Sequence, residues 1–176
     1  MVRRYMLSAE QRAADRQCLA AIRDRILAQV PGCAVAADQH YRETDLAIDY
    51  CEDVAPLADA ALERIVALMR DAGLTAKVSS IHVNGWFGNH DKLSMTRIML
   101  AECFAIDLDA QKEHFMFVGD SPNDEPMFGF FPNATGVANI RDFESRISVK
   151  PAFVTRARCG AGFAEVAEAL IAARKD

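Results

Sequence analysis

The segment Gly119-Asp120-Ser121-Pro122-Asn123-Asp124 has the residue types of a small metal and phosphate site. Mg²⁺ prefers hard oxygen ligands and usually takes one or two carboxylates, leaving its other positions to water and phosphate oxygens. Asp120 and Asp124 are therefore candidate metal ligands, although Asp124 could instead hold a metal-bound water. Asn123 could donate to a phosphate or to the aspartates, and Gly119 would let the backbone approach a ligand closely. Ser-Pro-Asn-Asp also suits an ordinary turn, and spacing alone leaves that alternative open.

Lys92 is the second candidate, because it stands at the predicted start of a helix in His90-Asp91-Lys92. A cation at this position opposes the helix dipole, which favours negative charge at a helix N-terminus. A bound phosphate would be attracted by both the ammonium group and the helix amides. A solvated surface lysine is the alternative.

The composition limits the class of protein. The 176 residues can form one large domain or two small ones, and 51% of them are apolar. The net charge of -5 argues against a nucleic-acid partner, which would need a basic face. Five cysteines without a CxxC pair are typical of reduced intracellular thiols. No apolar run approaches the roughly 18 residues of a membrane span, and no signal peptide is recognisable. We therefore expect a cytoplasmic protein without a membrane partner.

The first 85 residues predict a β-α-β-α-β order. Ser8 and Gln11 resemble a capping box at the start of the first helix, and Pro31-Gly32 ends that helix. The second strand alternates with one wet face. The remaining predicted elements are strands at 2–7, 41–50 and 75–86, a short apolar stretch at 33–37, and a helix at 56–71. Two helices on one face of an antiparallel sheet form an α+β layer.

The remainder, residues 86–176, predicts an α-β-α-β-β-α order. HFMFV at 114–118 is a continuous apolar run, typical of a buried parallel strand with functional groups at its carboxyl end. Helices are predicted at 92–105 and 160–173, the latter amphipathic through Phe163, Val166, Ala167 and Leu170, and short strands in ATGVANI and AFVTRA. This half therefore reads as a doubly wound α/β fold.

FVGDSPNDEPMF resembles the fourth motif of the haloacid dehalogenase-like phosphohydrolases, GDxxND after a strand, and DKLSMTRIML resembles their third motif, a lysine that opens a helix. The preceding 85 residues resemble the α/β cap of the type IIB members of that superfamily. The resemblance implies a cap domain at 1–85 and the C-terminal half of a Rossmann-like core at 86–176.

The resemblance also implies roles for individual residues. In the family, one aspartate attacks phosphorus to form an aspartyl-phosphate, and a second protonates the leaving group. Lys92 takes the family's lysine role, Asp120 the Mg²⁺ role, and Asn123 and Asp124 match the closing pair. Because type IIB caps carry substrate-specificity residues, four further residues are candidate contacts to a sugar: His82, Asn84, Trp86 and His90. Each could also be a packed or solvated residue, and Arg42, Asp45 and Asp49 are expected to brace the cap strand.

The chain departs from the family pattern at the nucleophile. No DxD followed by threonine or valine occurs, since Asp107-Leu108-Asp109 precedes Ala110-Gln111 and lies between the third and fourth motifs. Without the nucleophile, covalent catalysis has no first step. We therefore interpret the chain as the cap and second half of the core of a Mg²⁺-dependent sugar-phosphate phosphatase, whose N-terminal part is missing through truncation, gene splitting or a misplaced start.

Two alternatives remain open, a phosphomannomutase-like phosphotransferase and a catalytically inactive binding fragment. Because the motif-four strand would lack its neighbour, we expect an unpaired apolar edge at 114–118 and a homo-oligomer that forms through it.

Overall fold

The computed structural model describes residues 3–174, and its internal contacts divide the chain into two compact units, Met1–Asn89 and His90–Asp176. These are called the N-terminal and C-terminal units below. Among the described residues, no helix is both long and apolar enough to cross a membrane.

The N-terminal unit consists of two consecutive αββ segments. The first contains α1 (Ala9–Gln29), β1 (Ala34–Val35) and β2 (Asp45–Asp49), with a 3₁₀ turn at Gln39–Tyr41 before β2. The second contains α2 (Asp59–Asp71), β3 (Thr75–Val78) and β4 (His82–Trp86). The four strands form one antiparallel sheet in the order β1-β2-β4-β3, so the two segments meet at the β2–β4 pair.

Both helices pack on this sheet through one apolar core. Ile26 of α1, Ile65 of α2 and Val83 of β4 are fully buried members of the same cluster. Gly85 also belongs to this side of β4, because a Cβ there would lie 2.7 Å from Met69 Sδ. The α+β layer predicted from the sequence is therefore confirmed.

Three details of this unit differ from the prediction. Residues 3–7 form no strand, since Arg3 and Tyr5 bind the Glu43 side chain instead of pairing through their backbone. The Ser8 side chain does accept the Gln11 N–H, but the Gln11 side chain binds Asp15 instead of the Ser8 backbone. The predicted capping box is therefore wrong. The second helix begins at Asp59 rather than at 56.

The predicted strand at 75–86 is in fact a hairpin, with Val78 paired to Val83. Ser79 makes the turn, because its N–H donates to the His82 carbonyl and its hydroxyl accepts the His82 N–H. The wet face expected for β2 is also wrong, since residues 46–49 are buried. Asp49 tolerates burial because its carboxylate accepts the N–H groups of residues 51–53.

The C-terminal unit has the predicted α-β-α-β-β-α order with additional short helices. Its elements are α3 (Lys92–Phe104), α4 (Leu108–Gln111), β5 (Val118–Gly119), α5 (Glu125–Phe130), β6 (Thr135–Gly136), β7 (Phe153–Val154) and α6 (Cys159–Ala173), with 3₁₀ turns at Lys112–His114, Pro122–Asp124 and Ala138–Arg146. The strands form a parallel sheet in the order β5-β6-β7, which confirms the α/β class.

Helices cover both faces of this sheet, as a doubly wound fold requires. On one face, Leu100 of α3 and Phe128 of α5 share a cluster with Ala134 and with Phe117, which precedes β5. On the other face, α6 approaches closely at Gly162, where a Cβ would lie 3.1 Å from Val137 Cβ.

One expectation for this unit is wrong. The buried strand at 114–118 is reduced to Val118–Gly119, and Val118 is only half-buried. In the apolar stripe predicted for the last helix, Val166 and Ala167 are half-buried, whereas Phe163 and Leu170 are exposed.

Candidate functional site

The candidate site lies at the carboxyl end of β5, where the chain turns into α5. Ser121 accepts the Asp124 N–H through its side chain and Asp124 accepts the Ser121 N–H, which together form a capping box. Pro122 occupies the first turn, where its missing N–H costs nothing. The Ser121 hydroxyl also donates to Asn123 Oδ1 at 2.6 Å, so the loop is held by its own side chains.

Asp124 is the centre of this loop. Its side chain is only 2% exposed, and both carboxylate oxygens have partners. Oδ1 accepts from Lys92 Nζ, while Oδ2 accepts the Asp120 N–H at 3.0 Å and lies 3.4 Å from the Ser121 nitrogen. A buried carboxylate needs such donors, because burial of an unpaired charge is costly.

Gly119 is required by this arrangement. A Cβ on Gly119 would lie 2.5 Å from Asp124 Oδ2 and 2.7 Å from the Phe117 ring. Glycine at this position therefore lets the Asp124 carboxylate pack directly on the end of β5, as the sequence predicted for a close backbone approach.

Lys92 reaches this site from the first turn of α3. Asp91 is the N-cap of that helix and forms a capping box with Ser94, so Lys92 is fixed at the helix start. Its ammonium nitrogen also lies 5.8 Å from the centroid of the Phe117 ring. The side chain is 48% exposed, which leaves part of the ammonium group open to a ligand.

Asp120 differs from Asp124 in having an uncommitted carboxylate. It is half-buried, and none of the described residues forms a hydrogen bond or ion pair with its side chain. The free carboxylate of Asp120, beside the Lys92–Asp124 pair, is the ligand that Mg²⁺ would use here. No group of three or more His, Cys, Asp or Glu side chains within residues 3–174 could hold a metal, so Asp120 would share the ion with water and phosphate oxygens.

The predicted substrate residues are divided between the two units. His82, Asn84 and Trp86 alternate along β4 and lie on the sheet face opposite the helices, whereas His90 belongs to the C-terminal unit. His82 is nearly buried and its Nε2 lies 2.8 Å from Glu52 Oε2. The Asn84 Oδ1 atom is buried without a hydrogen-bond partner, so it has an unused acceptor.

Of the three residues expected to brace the strand, Arg42 and Asp45 form an ion pair, whereas Asp49 accepts backbone N–H groups of residues 51–53 and does not bind Arg42. The Arg42 guanidinium binds Asp38 through two nitrogens and donates to Asp45 at 2.7 Å. Burial by itself raises the pKa of Asp49, but three backbone N–H donors hold that pKa below its usual value.

Sequence reasoning missed several residues that position the site. Asp91 and Ser94 have the spacing of a capping box, and so do Ser121 and Asp124, so both boxes were recognisable from the sequence. The Glu52 partner of His82 had no such signal, because 30 residues separate the two.

Comparison with known proteins shows which solved structures share this fold. No family model matches the chain, and no curated protein matches it. Similar solved structures include the following three proteins. A Thermoplasma acidophilum protein matches with a TM-score of 0.56 and 17% identity over 87% of this chain and 59% of its own.

The sucrose-phosphatase from Synechocystis sp. PCC6803, solved in complex with sucrose and phosphate, matches with a TM-score of 0.60 and 14% identity over 90% of this chain and 64% of its own. A trehalose-6-phosphate phosphatase related protein matches with a TM-score of 0.50 and 14% sequence identity, over 92% of this chain and 65% of its own. The chain therefore spans less than two thirds of the length of these proteins, and the likeness shows the fold.

Proposed function

Because the chain has the haloacid dehalogenase-like fold, we propose that it carries the cap and the second half of the core of a Mg²⁺-dependent phosphatase that hydrolyses a sugar phosphate. The observation that carries this proposal is the arrangement at the end of β5. There, Lys92 binds the buried Asp124, and the uncommitted carboxylate of Asp120 lies on the same loop.

Each residue has a task that follows from its contacts. Asp124 holds the Lys92 ammonium and the Asp120 backbone in place, so it acts as a positioning residue. The exposed part of the Lys92 ammonium would neutralise charge on a phosphoryl group. Asn123, whose amide oxygen accepts from Ser121, would keep its amide N–H groups for phosphate oxygens.

The Asp120 carboxylate would hold Mg²⁺, with the Asp124 pair beside it. The ion would supply electrostatic stabilisation of the transferring phosphoryl group. The attacking aspartate would come from residues that this sequence does not contain. Its carboxylate oxygen would form the new bond to phosphorus as the ester P–O bond breaks, and water would then release inorganic phosphate.

A sugar as the non-phosphate part of the substrate is supported by the N-terminal unit. On β4, Trp86 and Asn84 lie on the face of the sheet away from the helices, and the Trp86 ring would stack on a sugar. His82 and His90 are the further candidates. Sucrose and phosphate occur together in the complex of the similar Synechocystis enzyme, which motivates the choice of sugar phosphates.

The test begins with the reading frame upstream of the Met1 codon. We expect it to encode a DxDx[TV] segment, and we expect the 176-residue chain alone to release no phosphate from sucrose 6-phosphate or trehalose 6-phosphate. Adding the upstream segment, fused or as a second polypeptide, should produce Mg²⁺-dependent release. Lys92→Ala or Asp120→Asn should then reduce kcat by about 100-fold, whereas the exposed Lys150→Ala should not.

Three outcomes would contradict the proposal. Hydrolysis by the chain alone that survives Asp120→Asn would place the chemistry elsewhere. An upstream frame without the aspartate motif would favour a binding fragment. Transfer of phosphate between sugar positions without release would favour the phosphotransferase.

A further inference from the structure

The loop that follows β2 carries a carboxylate that no sequence motif indicated. Glu52 lies on this loop, and its side chain is 44% exposed. Its Oε2 atom lies 2.8 Å from His82 Nε2, whereas none of the described residues binds its Oε1 atom. One oxygen of the Glu52 carboxylate is therefore held by the protein, and the other is open to a ligand.

The backbone of this loop is fixed by a buried side chain. The Asp49 carboxylate accepts the N–H groups of residues 51–53, including that of Glu52 itself. Although burial raises the pKa of Asp49, these three donors hold it below its ordinary value. Asp49 therefore keeps its charge and its three partners at neutral pH, and the Glu52 backbone is in place before any ligand arrives.

His82 fixes the Glu52 side chain. The two strands place His82 in register with Asp49, beside the start of the loop, and only 8% of the His82 side chain is exposed. An ionised carboxylate can only accept hydrogen bonds, so the imidazole proton must be on Nε2. A nearly buried ring that already donates to Glu52 has little surface left for a sugar.

We propose that Glu52 is a specificity-determining residue whose free oxygen accepts a hydroxyl group of the sugar, and that His82 is the positioning residue that orients it. The inference rests on the proposed function, from which it takes the sugar phosphate, and it transfers the sugar contact from His82 to Glu52.

Two properties of Glu52 fit this role. Because it binds His82, its carboxylate lies on the same face of the sheet as Asn84 and Trp86. A hydrogen bond from a hydroxyl group to a carboxylate is charge-assisted, and is therefore roughly twice as strong as a bond between neutral groups. The same charge repels phosphate, so Glu52 would select the hydroxyl-bearing end of the substrate.

Steady-state kinetics of the chain joined to its upstream segment test the contact. The substrates are sucrose 6-phosphate, trehalose 6-phosphate and p-nitrophenyl phosphate, whose leaving group carries no sugar hydroxyl. Glu52→Ala should raise KM for the sugar phosphates by about 10-fold or more at unchanged kcat, because a hydrogen bond to a charged group is lost. It should leave KM for p-nitrophenyl phosphate unchanged, and Glu52→Gln, which keeps an acceptor oxygen, should recover part of the loss.

Glu63→Ala is the matched control. Glu63 is also an exposed carboxylate of the N-terminal unit, but it lies on α2, which packs on the opposite face of the sheet. This variant should change KM for none of the three substrates. An equal rise in KM for the sugar phosphates and for p-nitrophenyl phosphate in Glu52→Ala would show a merely structural role and would overturn the proposal.

A double-mutant cycle separates the roles of the two residues. His82→Leu fills the space without a donor, so it should raise the same KM less than Glu52→Ala does. It should add nothing in the Glu52→Ala background, because both substitutions act through one contact. A further rise in that background would make His82 itself the sugar contact. Circular dichroism checks that each variant is folded, and the Glu52 variants alone decide the contact if His82→Leu is not.

Nuclear magnetic resonance of the 176-residue chain gives a result that needs no activity. The ring ¹⁵N shifts of His82 should place its proton on Nε2 at neutral pH, and a proton on Nδ1 would overturn the positioning role. The kinetics distinguish the two proposals. Release of no phosphate from any of the three substrates defeats the proposed function and this inference with it, whereas release that is indifferent to Glu52→Ala defeats the inference alone.

Discussion

Lys92 and Asp124 are 32 positions apart, yet the lysine ammonium binds one oxygen of a carboxylate whose other oxygen accepts the Asp120 N–H. A single buried side chain thus joins the start of α3 to the turn after β5. Because Asp124 is nearly inaccessible to water, Lys92 and the backbone must supply the donors that solvent would otherwise provide.

Replacing Lys92 should therefore destabilise the C-terminal unit. Lys92→Met keeps the aliphatic stem but leaves the Asp124 charge without its ammonium partner. We expect a loss of about 1–3 kcal/mol in the free energy of unfolding, less than for a fully buried pair because the lysine is half exposed. Urea denaturation measures it.

Lys150 gives the control for that experiment, because its partner Glu144 is exposed. Lys150→Met should change the free energy of unfolding by less than about 0.5 kcal/mol. Adding Asp124→Asn to Lys92→Met should recover part of the loss, since it removes the unpaired charge. Equal midpoints for all variants would mean that the Lys92–Asp124 pair has no structural role.

Gly119→Ala tests the close approach at the end of β5. The added Cβ would lie 2.5 Å from Asp124 Oδ2, so the carboxylate must move away from its donors. We expect a loss of about 1–3 kcal/mol in thermal or urea unfolding. Gly160→Ala is the control, because a Cβ at Gly160 meets no atom within 4 Å. If both substitutions have the same effect, the crowding at Gly119 is not what limits stability.

The stability of the N-terminal unit should fall in acid partly through Asp49. Backbone donors hold its folded pKa below the unfolded value of about 3.9, so its contribution is present above that pH and is lost as pH falls through the folded pKa. Asp49→Asn should lose about 1–3 kcal/mol at neutral pH and have a flatter acid profile than wild type. Asp24→Asn, at an exposed pair with Arg23, should keep the wild-type profile.

Mg²⁺ should bind this chain weakly. Asp120 offers one free carboxylate, and both Asp124 oxygens already have donors, so at most half of the usual ligand set is present. Calorimetric titration with MgCl₂ should give no saturable heat in the micromolar range. Micromolar affinity that disappears in Asp120→Ala would mean that the chain already holds a complete site.

Residues with local signals were predictable from the sequence. The helix starting at Lys92, the parallel strand ending at Gly119 and the polar turn after it all follow from periodicity, capping and glycine placement. The hairpin at 79–81 was not predictable, because Ser79-Ser80-Ile81 lacks the usual glycine or asparagine and the alternation continues through it. Its turn depends on the Ser79 side chain.

The spacing of residues in the sequence also could not predict which groups bind the Asp124 carboxylate. GDxxND makes both aspartates candidate ligands, and only the packing of α3 beside β5 separates the committed carboxylate of Asp124 from the free one of Asp120. The exposure of Phe163 and Leu170 on α6 was missed for the same reason, since periodicity gives a stripe but not its partner.

The strand order β1-β2-β4-β3 has a consequence for how the chain acquires its structure during synthesis. Each αββ segment brings its two strands together locally, and a hairpin such as β3–β4 closes in about 1–10 μs. The central β2–β4 pair joins residues far apart in sequence, so it cannot form until Trp86 has left the ribosome. The inner edge of β2 therefore stays unpaired while α2 and β3 are synthesised.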